Sequence, residues 1–315
     1  MNHPPNNIED NVEPETNPAI LDQPKKAKTY RVKSDMPFFA AFGLTSAFYV
    51  FAIVAMIGAG VIKIEYQDFV DALSDTNIQY AIRLSLITCT ITAILSVIVS
   101  VPIGYLMSRY KFPGSFLIDS VLDIPIILPP LVIGLSLLIL FGLPIGGTDA
   151  DPFTVDDACR YLSNLILGRD LGIVFQIPAV ILAQFLVACA FAVRTMRSTY
   201  DQISPRHEDV ALTLGCSHGQ AFWRVVFPQS WRGVMTAFTL SWARALGEFG
   251  PILVFAGSVR MRTEVLPVSV FLELGIGNVK GALAVSLIMV AVAVLVLVVV
   301  RMFGGQTFES RRGTV

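Results

Sequence analysis

Apolar positions along this chain gather into blocks rather than alternating with polar ones. Six blocks stand out, at about 38–62, 78–107, 116–143, 171–193, 233–257 and 281–300. A helix needs about 20 apolar residues to cross the hydrocarbon core of a bilayer, and each block meets that length. A soluble protein could bury one or two such helices. Six of repeating length, with few charges interrupting them, predict an all-α integral membrane protein with six transmembrane helices. Between the fourth and fifth blocks the pattern changes. Residues 201–230 are polar, with apolar positions at helical spacing, and predict a short helix-turn-helix outside the membrane.

Composition agrees: 54% of residues are hydrophobic and 15% charged, against roughly 25% charged in soluble domains. The net charge of −1 carries no signal for nucleic acid or any other charged partner. The placement of basic residues is more informative. With the N-terminus in the cytoplasm, fifteen Lys and Arg fall on that side and five on the other, the bias that sets membrane topology. Both termini and the 201–230 segment are then cytoplasmic. Residues 1–36 are rich in Pro, Asn and acids, turn basic toward the end, and lack the apolar core of a cleavable signal. They predict a disordered tail, solvated or regulatory, whose basic end lies against lipid headgroups. The permease-like domain is expected at 37–303 and a second cytoplasmic tail at 304–315.

The polar segment can be parsed residue by residue. Ser204 is placed to cap a helix and Pro205 to open it. Glu208 and Asp209 occupy its first turn, where the helix dipole favours anions. Val210 and Leu214 share a face, with Ala211 beside them. Gly215 can take the left-handed conformation that ends a helix. Ser217 with Gln220 forms a capping-box pattern for a second short helix, which Phe222, Val225 and Val226 line and Pro228 should stop. A helix lying on the lipid surface would satisfy the same pattern.

The spacing of Asp209-Val210-Ala211, Gly215, Val225, Phe227 and Pro228 resembles the EAA loop of ATP-binding cassette importer permeases: Glu-Ala-Ala, three residues, Gly, nine residues, Ile-x-Leu-Pro. Asp replaces Glu, Val the first Ala, Val the Ile and Phe the Leu. The resemblance implies a type I ABC importer permease fold with a coupling loop that inserts into a cytoplasmic ATPase. On that basis Glu208, Asp209, Val210, Ala211, Gly215, Val225, Phe227 and Pro228 are the expected coupling residues. It further implies a cytoplasmic ABC ATPase dimer as partner, a periplasmic or lipoprotein solute-binding protein, a permease homodimer and an inner-membrane location. ATP and Mg would sit on the ATPase and no cofactor on this chain. Transport would follow alternating access. No phosphate-binding loop is present, since Gly-Lys never occurs, and no catalytic residue is expected here.

Within that family, residues 123–142 and 243–300 are similar to permeases for molybdate and tungstate, with sulfate permeases close behind. The resemblance implies an oxyanion cargo, molybdate or tungstate first, with sulfate, thiosulfate or another small solute as alternatives. The 144–170 loop is longer than that branch usually carries. Its acids Asp149, Asp151, Asp156 and Asp157 are candidates for contact with a binding protein.

Several residues inside the blocks bear on the path. Arg244 and Glu248 are four apart in the fifth block; they either line a cavity or brace the helix as an ion pair. Pro129, Pro130 and Gly134 interrupt the third block, and Gly247, Gly250 and Pro251 the fifth. Interrupted helices line transport paths; close helix packing explains the glycines equally well. A channel or secondary transporter would favour inverted repeats, and none is visible. An intramembrane enzyme would want clustered acids inside spans, where Glu248 stands nearly alone. The four cysteines and three histidines show no spacing for a disulfide framework or a metal site.

Overall fold

The computed structural model describes residues 36–110, 113–148, 151–168 and 172–305. The tails expected at 1–36 and 304–315 lie outside these residues, except for Met36 and for Gly304 and Gly305. The chain divides into two compact units, residues 1–54 and 55–315. In the first, the described residues are the leading part of α1 (Met36–Lys63). This helix is apolar all round, and its residues 38–56 are exposed, as befits a helix whose solvent is lipid.

The second unit carries the rest. Its elements are α2 (Tyr66–Ser74), α3 (Thr76–Arg109), α4 (Ser115–Ile127), α5 (Pro130–Gly142), the strands β1 (Pro144–Thr148) and β2 (Asp151–Thr154), α6 (Val155–Leu167) and α7 (Ile177–Asp201). Then come α8 (Arg206–Thr213), α9 (His218–Ala221), a π-helical turn (Phe222–Val226), α10 (Phe227–Leu246), α11 (Gly250–Phe255), α12 (Leu266–Gly275) and α13 (Val279–Gly305). The centre is α3 packed against α7 and α10. Three apolar clusters follow one another down these helices. The first holds Leu84 of α3 with Ala179, Val180, Ala183 and Val187 of α7 and the flanking α5 and α11. The second joins Cys89 and Ala93 to Ala188, Trp242 and Leu246. The third joins Val101 to Ala192, Met196, Tyr200, Val226 and Val234. Small residues permit the approach: a Cβ on Gly104 would lie 2.8 Å from Met196 Cβ and 2.9 Å from the Arg197 nitrogen.

Not all six expected spans are continuous helices. Among the described residues four helices, α1, α3, α7 and α13, are long and apolar enough to cross a membrane alone. The third block is the pair α4–α5, bent by 111° at extended Leu128 and Pro129. It makes a fifth span only if taken as one unit. The fifth block is divided at Gly247, where α10 ends and α11 follows after Glu248 and Phe249. Polar residues such as Arg232, Thr236, Thr239, Ser241 and Arg244 also dilute α10. The two broken spans meet each other. A Cβ on Gly134 would lie 2.8 Å from Pro251 Cα, and one on Gly250 would lie 2.9 Å from Pro130 Cβ. Each glycine clears room for the other span's proline, so close packing accounts for both.

Candidate functional site: the coupling segment and the bundle behind it

The chain leaves α7 at Asp201 and enters α8 at Arg206. Pro205 rather than Ser204 is the flanking residue, and no side chain caps this helix. The Ser204 and Pro205 carbonyls accept from His207, Glu208 and Asp209 instead. At the other end Gly215 has φ +90°. Its N–H donates to Leu212 O at 3.0 Å, and the Cys216 N–H donates to Ala211 O at 3.1 Å. This crossed pair is the helix-ending motif that favours glycine. The Ser217–Gln220 capping box is present in both directions, at 3.3 Å and 3.0 Å.

Pro228 does not stop the second helix. The chain continues through the π turn into α10, with Pro228 in that helix's first turn. A proline inside an α-helix removes one donor and clashes with the carbonyl four residues back. The π turn widens the register just before it: the Phe227 N–H reaches back to Phe222 O. The segment is therefore rigidly continuous with the bundle helix behind it.

The expected coupling residues divide into two sets. Glu208 and Ala211 point inward and are buried, and Val225 and Phe227 are half-buried. Asp209, Val210, Gly215 and Pro228 are exposed, and Leu214 and Trp223 with them. Glu208 is thus an anchor and not part of an outer face. Its carboxylate accepts from the Tyr105 hydroxyl and lies 3.5 Å from Arg109 Nε. Arg109 also donates to Ile203 O at 2.9 Å, and His207 Nδ1 meets Gln229 Oε1 at 3.1 Å. The end of α3 and the start of α10 both hold the hairpin. Rings fill the space behind it: Phe222 lies 4.8 Å from Tyr105, and Phe227 lies 5.0 Å from Trp223 and 6.3 Å from Trp231.

Deeper in the bundle, Arg244 and Glu248 form an ion pair of 2.6 Å. Glu248 is almost wholly buried at the α10–α11 break, and the Arg244 guanidinium also stands 5.8 Å from the Phe191 ring centre. Pro129 and Pro130 are exposed at the α4–α5 bend. Nothing brings these residues together with the coupling segment.

Three groups escaped the sequence reading. Tyr105 and Arg109 lie about a hundred positions from Glu208, and no local pattern links them. Gln184 is buried and ties the three central helices together, donating to Ala245 O at 3.2 Å and accepting from Thr92 Oγ1 at 3.2 Å. The third group corrects the picture of Glu248 as nearly alone. Asp119 and Asp123 of α4 pair with Arg197 and Arg194 of α7, the latter in two-pronged fashion at 2.9 Å and 2.6 Å. Helix α4 has no fully buried residue, so these pairs are prominent among its ties to α7. Two acids four apart facing two arginines three apart were a visible signal. Among the described residues no group of three or more His, Cys, Asp or Glu could hold a metal ion.

Residues 100–313 match the family described as binding-protein-dependent transport system inner membrane component. The chain belongs to that family. The match takes in the last part of α3 and every later element, including the whole coupling segment. The chain is 30% identical over 243 residues to the sulfate transport system permease protein CysW of Synechocystis sp., covering 77% of this chain and 82% of that protein. It is 30% identical over 218 residues to the molybdate/tungstate transport system permease protein WtpB of Thermococcus kodakarensis, covering 69% and 76%. Its fold is similar to that of a bacterial alginate ABC transporter solved in complex with an alginate pentasaccharide-bound periplasmic protein. There the TM-score is 0.64 at 15% identity, over 87% of this chain and 96% of that one. As a member of the family the chain is the multi-pass membrane permease of a binding-protein-dependent importer, a transport subunit rather than an enzyme.

Proposed function

We propose that this permease carries a tetrahedral oxyanion, molybdate or tungstate first, from an extracytoplasmic binding protein into the cytoplasm, driven by a separate ABC ATPase. The observation that carries the driven part is the coupling segment. Its inner face is fixed to α3 and α10 by Glu208 and the π turn, while Val210, Leu214 and Trp223 stand out into solvent. A free apolar edge on a stiff mount suits a groove on a partner that moves. Asp209, Val210 and Gly215 belong to this outer part, and Ala211, Val225, Phe227 and Pro228 set its shape. ATP and Mg sit on the ATPase, and none of this chain's residues is asked to bind them. Both termini and the coupling segment face the cytoplasm, in line with the excess of Lys and Arg on that side. Two copies of the permease pair with two ATPases, and the path runs near the α4–α5 bend and the Arg244–Glu248 pair.

The similarity to oxyanion permeases at 30% identity over most of the chain supports the cargo class. The sulfate permease is at least as similar to this chain as the molybdate/tungstate permease, so the similarity does not rank the anions, and sulfate is kept as the second reading. Reconstitution with the cognate ATPase and binding protein tests both parts. ATP-dependent uptake of molybdate or tungstate that outcompetes sulfate is the expected result. Selective sulfate uptake would move the cargo to the second reading, and uphill uptake without any ATPase would end the driven mechanism.

A further inference from the structure

The 144–170 loop was expected to present acids to a binding protein. It does not present all of them. The Asp156 carboxylate is buried, accepting from the Ile173 and Val174 N–H groups at 2.7 Å and 3.0 Å and from Arg160 Nε at 3.0 Å. Asp157 closes a capping box with Thr154 at the head of α6. Asp149 lies outside the described residues. Among its described residues the loop also presents an apolar face. Tyr161, Leu162 and Leu165 of α6 are 69%, 55% and 72% exposed, and at 3.6 residues per turn they share an arc of about 100°. Val155 and Cys159, on the adjoining arc, pack against the core. In the hairpin, Ile145 falls where the β1–β2 register shifts, is turned outward, and joins Phe153 among the exposed apolar residues.

The hydrogen bonds fix the level of this surface. The Val155 N–H, which opens α6, donates to Leu143 O at 3.2 Å, immediately after α5 ends. Asp156 is bonded just ahead of the start of α7, and the Phe175 N–H donates to Phe255 O where α11 ends. The first turn of α6 therefore lies level with the end of α5 and with the start of α7, a helix long and apolar enough to cross a membrane. The exposed apolar face of α5, with Leu135, Ile139, Leu140 and Leu143, runs into it.

We propose that α6 is an interfacial helix whose Tyr161-Leu162-Leu165 face lies in the headgroup–acyl boundary of the bilayer, continuing the exposed apolar surface at the end of α5. Its polar arc, with Asp157 and Asn164, points to water. Helices of this kind bind by burying apolar area, with anionic lipid adding attraction where basic residues are free. The one basic residue of α6, Arg160, is occupied by Asp156, so the binding of this helix is apolar and indifferent to lipid charge. The proposal rests on the membrane reading alone and not on the cargo or the ATPase.

The test uses the full chain in phosphatidylcholine nanodiscs, with Cys159, Cys189 and Cys216 replaced. A nitroxide is placed singly at 162, 165 or 164. At 162 and 165 dissolved oxygen should relax the label about threefold more effectively than a water-soluble nickel chelate, with the order reversed at 164. Adding phosphatidylglycerol should change neither ratio. Nickel access at 162 and 165 equal to that at 164 would overturn the proposal. So would an oxygen preference that requires anionic lipid, labels at 162 and 165 shielded from both reagents, or shielding that appears only with binding protein present. Leu162→Asp and Leu165→Asp check the same point without a label. Each should lower the thermal midpoint in nanodiscs, although side chains this exposed have little protein packing to lose; a midpoint equal to wild type would contradict the proposal.

Discussion

The coupling segment and the α6 insertion are built from the same parts and do different things with them. Each leaves apolar side chains exposed, and each is held by a buried carboxylate, Glu208 in one and Asp156 in the other. The difference is what the carboxylate reaches. Glu208 bonds side chains on the neighbouring bundle helix α3, and the segment runs without a break into α10. Asp156 bonds backbone N–H groups in a loop and an arginine on its own helix. The first arrangement ties the segment to two bundle helices, α3 and α10. The second ties its helix to a loop. The proposed handle is the exposed apolar face with the stiffer mount.

The sharpest break in that comparison is Glu208→Ala. It leaves Arg109 buried beside an empty site, and removing one partner of a buried pair costs about 3–5 kcal/mol. We expect a clear fall in thermal midpoint in detergent, faster proteolysis between α7 and α10, and loss of ATPase stimulation in the assembled transporter. Tyr105→Phe removes only the hydroxyl, costs about 1–2 kcal/mol and should weaken coupling without abolishing it. Next is Gly215→Val. Nothing lies within 4 Å of a Cβ there, so the cost is backbone strain alone, about 1–2 kcal/mol for a left-handed non-glycine residue. Transport per ATP hydrolysed should fall, and Gly215→Asn should recover most of it.

Leu214→Asp should change stability by no more than about 0.5 kcal/mol, as surface substitutions do, yet abolish ATPase association in pull-down. A large functional loss with a small structural one is the signature of a docking face. The smallest effect is at α6. Hydrogen bonds from Thr154 hold the Asp157 carboxyl below its ordinary value. A depressed folded-state pKa stabilises the charged form above the unfolded value, about 3.9, and the contribution is lost as pH falls through the folded value. The first turn of α6 should lose protection against hydrogen exchange on acidification, measured relative to the intrinsic exchange rate at each pH, and Thr154→Ala should reduce that pH dependence.

How much of this was legible in the chain depended on range. The apolar blocks, the Gly215 turn and the Ser217–Gln220 box are local, and each was visible because three or four residues decide it. The bend at Pro129 was visible as an interruption, though its angle depends on the packing of Gly134 against Pro251 and Gly250 against Pro130. Pro228 was misjudged because it falls in the first turn of α10, directly after a π turn, where a proline opens a helix instead of ending it. Glu208 was expected among the coupling residues, but its anchoring was not visible, because its partners Tyr105 and Arg109 come from another helix. In the 144–170 loop, charge density likewise did not reveal that backbone N–H groups engage Asp156 and Asp157.

The most direct measurement is cross-linking at Leu214. In a Cys216→Ser background, Leu214→Cys carries a short thiol-reactive cross-linker in the assembled transporter, while a cysteine at Asn164 serves as the comparison. The account predicts a covalent adduct with the ATPase from position 214 and none from 164, together with slower maleimide labelling at 214 when the ATPase is present. Labelling at 214 that is unaffected by the ATPase, with no adduct formed, would contradict it.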